Sequence, residues 1–202
     1  KQQNTSIENM GFRFLKDPIF FVSALFLKKP SRIMGLLMVM TLALLVYSIA
    51  QRRLRQALAA QNKTLPNQIN QPTKTPTMRW IFQIMDGIHY VTININGVTQ
   101  KIIQGLTDLK QKIIRFMGKT VMKIYNLTDN VNFAPEGSSM WDLGLMAGVI
   151  RDLGLMEKID ARLCLDSTKG GIVGYGQRVA AMILNGFGFM TKRLYMTLHF
   201  FR

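Results

Sequence analysis

One stretch constrains this chain more than any other: Ile33 to Ala50, 18 residues without a charge, set between Lys28, Lys29 and Arg32 on one side and Arg52, Arg53 and Arg55 on the other. A run of this kind must be covered, by protein or by lipid. Ser31, just after Pro30, reads as an N-cap for a long helix reaching about Ala60. A bilayer span takes about 20 apolar residues, with a lower limit of about 17, so the run is long enough. Both flanks are basic, which leaves its orientation across a membrane undefined. Met34, Met38 and Met40 suit an irregular protein core as well as they suit lipid.

Charge supplies the second constraint. The 202 residues carry 26 Lys and Arg against 11 Asp and Glu, a formal net charge of +15, which points to a polyanionic partner, either nucleic acid or an anionic membrane surface. Residues 1–127 hold 18 basic and four acidic side chains, whereas residues 128–202 hold eight and seven. A basic first part joined to a nearly neutral second part reads as two units with different jobs. Cys164 stands alone, which excludes an internal disulfide and fits a reducing compartment; its simplest role is that of a small core hydrophobe. His89 and His199 have no ligand partners at useful spacing, so a zinc site is not expected. Lys1 at the start, without an initiator methionine or a signal-peptide pattern, suggests a fragment.

Near the start, Glu8 lies within about two helical turns of Arg13 and Lys16, before Pro18 ends the segment. A carboxylate among cations on an apolar helix has two explanations. One is a surface ion pair, contributing about 0–1 kcal/mol. The other is a metal ligand in phosphoryl transfer, with the cations turned to nucleic-acid phosphates. Ile19–Leu27 follows as an apolar segment.

Beyond the long helix, Gln61–Thr77 changes character, with Asn, Gln, Thr, Lys and three prolines (Pro66, Pro72 and Pro76); it reads as an extended, solvated connector or arm. Lys63, Lys74 and Arg79 could touch phosphates there or be ordinary solvated charges. Met78–Met85 is a helix-like run. Ile88–Ile95 and Val98–Ile102 alternate as strands around Asn96-Gly97, a two-residue hairpin signal. Leu106–Met117 has helical spacing and Gly118 stops it, with Lys110, Lys112 and Arg115 on its other faces. Asn126–Ser139 is rich in turn formers. Short helices follow at Leu143–Leu153, Met156–Leu163, Gln177–Leu184 and Thr191–Phe201, with Gly-rich turns between, the size of a helix-turn-helix module. The glycines at 170, 171, 174 and 176 follow no strand and lack the Lys-Ser/Thr of a P-loop, which argues against a nucleotide site.

Longer strings carry a family resemblance. Ile7-Glu8 with Gly11-Phe12-Arg13-Phe14-Leu15-Lys16-Asp17-Pro18, Leu25 to Ile33, Leu44-Leu45-Val46-Tyr47, Leu65-Pro66-Asn67-Gln68 and Pro76 to Phe82 resemble the C-terminal end of acidic-triad (DDE-type) transposases of bacterial insertion sequences. Leu143 to Gly148, Leu153-Gly154-Leu155, Glu157-Lys158-Ile159-Asp160, Gly176-Gln177, Ala181 to Phe189, Leu194-Tyr195 and Phe200-Phe201 resemble the N-terminal helical module of the same enzymes. The resemblance implies a mainly α chain with a small β-hairpin (α+β). Residues 1–126 would be an incomplete ribonuclease-H-like C-terminal part, 127–139 a linker and 140–202 a helical module. It also implies a bacterial, cytoplasmic setting.

In the family the helical module comes first, the catalytic core next and the C-terminal end last. Here the tail precedes the head, and the stretch bearing two aspartates of the triad is missing. Glu8 resembles the third acid, the catalytic and metal-binding glutamate, and Mg2+ is the cofactor the family implies. Two metal ions need the whole triad, so strand cleavage by this chain alone is not expected. The family lysine follows its glutamate by seven residues, within about 20° of its direction; Lys16 follows Glu8 by eight, about 80° round. DNA is the partner implied, with Arg13, Lys16, Lys28, Lys29, Arg52, Arg53, Arg55 and Arg79 as candidate phosphate contacts. In these enzymes the apolar run packs against the catalytic sheet, which favours a buried helix over a membrane span at Ile33–Ala50. With that sheet largely absent, the exposed surface could drive self-association. The alternative class is a small single-span membrane protein with basic flanks.

Overall fold

A computed structural model describes residues 29–95, 98–125, 143–163 and 173–189. They are mainly helical, with two small antiparallel two-stranded ladders. Helix α1 (Pro30–Ala60) is followed by β1 (Leu65–Pro66), β2 (Pro72–Thr73), α2 (Met78–Met85), β3 (His89–Ile95) and β4 (Val98–Gln104). Then come α3 (Asp108–Met117), α4 (Lys119–Ile124), α5 (Leu143–Asp152), α6 (Leu155–Asp160), α7 (Tyr175–Leu184) and a π-helical turn at Asn185–Phe189. The described residues fall into two compact units, one within Tyr47–Leu153 and the other made of 29–46, 154–163 and 173–189.

Helix α1 begins at Pro30 rather than after a Ser31 cap. The Lys29 carbonyl accepts from the Arg32 and Ile33 N–H groups, and a proline in first position gives up only an N–H that the helix cannot use. A buried stripe runs along α1 through Leu36, Met40, Ala43, Ala50, Leu54 and Leu58, the three-and-four spacing of one helical face. Ile33, Met34, Leu37, Met38 and Leu45 are exposed instead. By length and composition α1 could cross a membrane, and 33% of its apolar window is buried.

Within the Tyr47–Leu153 unit, the connector after α1 is exposed along most of its length, in keeping with a solvated connector, but it folds back on itself rather than running extended. Its β1–β2 ladder pairs Leu65 with Thr73 and Pro66 with Pro72. Between them the Asn67 side chain accepts from the Ile69 and Gln71 N–H groups at 3.0 and 2.8 Å, and Asn70 takes a left-handed backbone at φ 62°. Leu65 is buried, and the Trp80 indole N–H donates to the Pro66 carbonyl at 2.7 Å.

The hairpin pairs His89 with Gln104 through to Ile95 with Val98, so the return strand is longer than the alternation indicated. Asn96-Gly97 lies outside the described residues. Thr107 caps α3 through Lys110, and Gly118, with φ 110°, ends it as its position indicated. A further short helix, α4, follows at once. Helix α5 then packs on α4 at close range. A Cβ at Gly148 would stand 2.5 Å from Val121 Cγ2, and one at Gly144 2.8 Å from the Tyr125 ring. Gly144 and Gly148 thus share a face and meet Tyr125 and Val121, also four apart, in antiparallel order. Ile113, Ile114, Met117, Val121, Ile124, Tyr125, Leu145, Met146 and Val149 complete this buried layer.

In the other unit α6 contacts α7. The Asp160 carboxylate accepts from the Gly176 N–H at 2.8 Å, supplying the cap that Gly174 has no side chain to give. Helix α6 stops at Asp160 and continues only as hydrogen-bonded turns to Leu163, short of the expected helix. Asn185-Gly186-Phe187-Gly188, expected as a turn, falls within wider π geometry over Asn185–Phe189 that extends α7. The expected linker at 127–139, the apolar segment Ile19–Leu27 and the last helix, Thr191–Phe201, lie outside the described residues.

Candidate nucleic-acid interface

Of the residues singled out in sequence, Glu8, Arg13, Lys16 and Lys28 lie outside the described residues. Lys29, Arg52, Arg53, Arg55 and Arg79 lie within them. Lys29 is exposed just before α1. Arg52, Arg53 and Arg55 sit in the last turns of α1, where the buried stripe through Ala50, Leu54 and Leu58 fixes their directions. Arg52 is exposed.

The other two arginines have protein partners. Arg53 pairs with Asp152 at 3.0 Å, joining α1 to α5; the two side chains are 35% and 26% exposed. Arg55 donates from Nε to the Pro76 carbonyl at 3.1 Å. Burial pulls the Arg55 guanidinium below the usual arginine range, while neighbouring Tyr47 acts the opposite way. Arg55 therefore holds the connector against α1, and Arg53 is partly neutralised.

Arg79 starts α2, and its side chain is exposed. A helix N-terminus attracts anions when its first N–H groups are unsatisfied. Here they are occupied. The Met78 N–H donates to Gln51 Oε1 at 3.1 Å, the Arg79 N–H to the Tyr47 hydroxyl at 3.1 Å, and the Trp80 N–H to Thr77 Oγ1 at 3.4 Å. Gln51, 5% exposed, is a buried polar residue committed to this cap. Burial pushes the Tyr47 phenol above its ordinary value; the Arg79 N–H, then Arg55 and Arg79 as cations, pull it back. The Tyr47 ring also meets Phe82 edge to face, 6.2 Å between centroids. What Arg79 can offer an anion is its guanidinium alone.

Cations that the candidate set omitted are well placed. Lys112 and Arg115 on α3 and Lys119 and Lys123 on α4 are all exposed, while their neighbours Ile113, Ile114, Met117, Val121 and Ile124 are buried. The signal lay in the sequence: Leu109 to Tyr125 contains five Lys and Arg and no acid. Lys110, the fifth, donates to the Asp86 carbonyl at 2.6 Å. Lys74 is held by Asn62 Oδ1 at 2.6 Å, and Lys63 is exposed.

Among the described residues, no group of three or more His, Cys, Asp or Glu is assembled for a metal ion. Glu8, the acid to which the family resemblance assigns Mg2+, lies outside them.

Residues 137–202 match a family model described as a domain of unknown function, DUF4277. The matched stretch contains α5, α6, α7 and the π-helical turn. No match is found among curated proteins or among solved structures.

Proposed function

We propose that this chain is a transposase-derived polypeptide, related to DNA transposition, that holds duplex DNA through its phosphates and does not cut it unaided. The observation that carries the reading is the charge of the Tyr47–Leu153 unit. Its described residues include 13 Lys and Arg against three acids, Asp86, Asp108 and Asp152, and one of those acids is already engaged by Arg53. Such an excess is an electrostatic footprint for a polyanion. The sequence strings add the kind of polyanion: they resemble an incomplete ribonuclease-H-like C-terminal part, followed by the helical module of the same enzymes. Arg52 and Arg79 are the exposed members of the candidate set in this unit. Arg53 and Arg55 act mainly in holding the unit together.

Binding should follow counterion release. Each phosphate contact contributes about −0.9 to the slope of log K against log salt concentration on B-DNA. A fluorescence-anisotropy titration of the full chain with a labelled duplex, repeated over a salt series, tests this. Affinity that falls steeply with salt supports the reading, and salt-insensitive binding contradicts it.

The tail-before-head order is explained by read-through across the junction of two tandem or circularised element copies. Sequencing the flanks of the gene tests the idea: transposase coding sequence on neither side removes it.

The second reading is a membrane span at Ile33–Ala50, favoured by the exposed apolar side chains of α1. Against it stands the continuous buried stripe on the same helix, the pattern of a helix facing protein. Pelleting with membranes after carbonate washing would favour the span.

A further inference from the structure

We infer that α3 and α4 form a phosphate-tracking ridge, built from Lys112, Arg115, Lys119 and Lys123, that grips the backbone of duplex DNA without reading its sequence. The inference deepens the DNA-binding reading and rests on it.

Consecutive helices each turn a cation pair to solvent. Lys112 and Arg115 are three residues apart on α3; Lys119 and Lys123 are four apart on α4. Side chains at these spacings are neighbours on a helix surface, and like charges so placed repel. Asp108, four residues before Lys112, and the helix C-termini near Arg115 and Lys123 offset part of that repulsion. Among the described residues none of the four makes an ion pair, and no acid occurs from Leu109 to Tyr125. The nearest acid in sequence is Asp108, in the first turn of α3, where it complements the positive end of the helix. Among the described residues no ion pair neutralises these four charges, and a polyanion would do so.

The mounting is firm. Ile113, Ile114, Met117, Val121 and Tyr125 are each no more than 2% exposed, and α5 holds α4 through the close Gly144 and Gly148 contacts. Buried anchors on the inner face leave the cations on a rigid outer one, which suits a regular array of phosphates.

The side-chain chemistry selects the ligand class. Three of the four are lysines, compact point charges that favour phosphate over the bidentate recognition of base edges. The fully exposed positions of α3 and α4 carry no aromatic side chain for unpaired bases to stack on; the one aromatic of α3, Phe116, is half-buried. Both features favour a duplex backbone as the ligand.

The test uses the full chain with K112Q, R115Q, K119Q and K123Q combined, compared with the parent and with an R52Q/R79Q variant. Two labelled duplexes of unrelated sequence are titrated over a salt series. Loss of four contacts should lower the magnitude of the slope by about 3.6, at about 0.9 per phosphate, and weaken both duplexes equally. A K119Q/K123Q variant, with half the substitutions, should show about half that change. Thermal melting should change little, since the repulsion is removed together with the attraction of Asp108 for Lys112 and the helix-end placement of Arg115 and Lys123. If the parent binds DNA and the quadruple variant keeps its slope, the ridge is overturned while the DNA-binding reading stands. If the parent binds no DNA, both fall. Loss of binding to phosphatidylserine vesicles without loss of binding to DNA would assign the ridge to an anionic membrane surface and overturn it as well.

Discussion

Replacing Gly148 by alanine probes the close contact between α4 and α5. Alanine in place of glycine inside a helix ordinarily stabilises by about 0.5–1 kcal/mol. At this position the new methyl would stand 2.5 Å from Val121 Cγ2 and 3.1 Å from Val121 Cα. Val121 is fully buried, so its side chain cannot swing aside, and the backbone atom cannot yield unless α4 moves. Overpacking of this kind costs about 1–3 kcal/mol. The net effect of G148A should be a loss of up to about 2 kcal/mol. Gly35, inside α1, supplies the control. A methyl there meets nothing within 4 Å, so G35A should give the ordinary gain. Urea unfolding at constant m compares the two midpoints. Adding V121A to G148A removes the Cγ2 clash, so the double variant should be more stable than the sum of the two single effects. A G148A protein that is stabilised as much as G35A would refute the close packing of α4 against α5.

Other outcomes follow from the same contacts. A double-mutant cycle of R53Q and D152N should give a coupling of about 0.2–1 kcal/mol that shrinks in high salt, since both partners are part exposed. The Tyr47 phenol is raised above its ordinary value near 10, so the stability it contributes is complete below that pH and is lost as pH climbs through the raised value. Y47F should flatten this alkaline loss in a pH series of unfolding midpoints, while costing about 1 kcal/mol at neutral pH for the forfeited Arg79 N–H bond.

Elements set by local chemistry were legible in the sequence. Met78–Met85, the hairpin strands and the α3 stop at Gly118 follow from hydrophobic period and turn residues alone. What was missed depends on distant partners. Gln51 and Tyr47 look like ordinary residues of an apolar helix, yet 27 and 32 residues on they cap α2. The polar connector read as an extended, solvated connector or arm, and its fold-back was missed because the Asn67 turn and the Trp80 bond to Pro66 are visible only once folded. Arg53 and Arg55 were grouped with Arg52 by charge, but folding gives each a protein partner. The α3–α4 cations were dispersed among apolar residues, and only burial of those neighbours turns a scattered set into a surface.

The claim of a chain that binds DNA yet does not break it is tested most directly in one gel. The full chain is incubated with end-labelled insertion-sequence termini and Mg2+, and each sample is run under native and denaturing conditions. The account predicts a retarded band at low salt and intact strands after denaturation. Nicked strands that depend on the protein and the metal would contradict it.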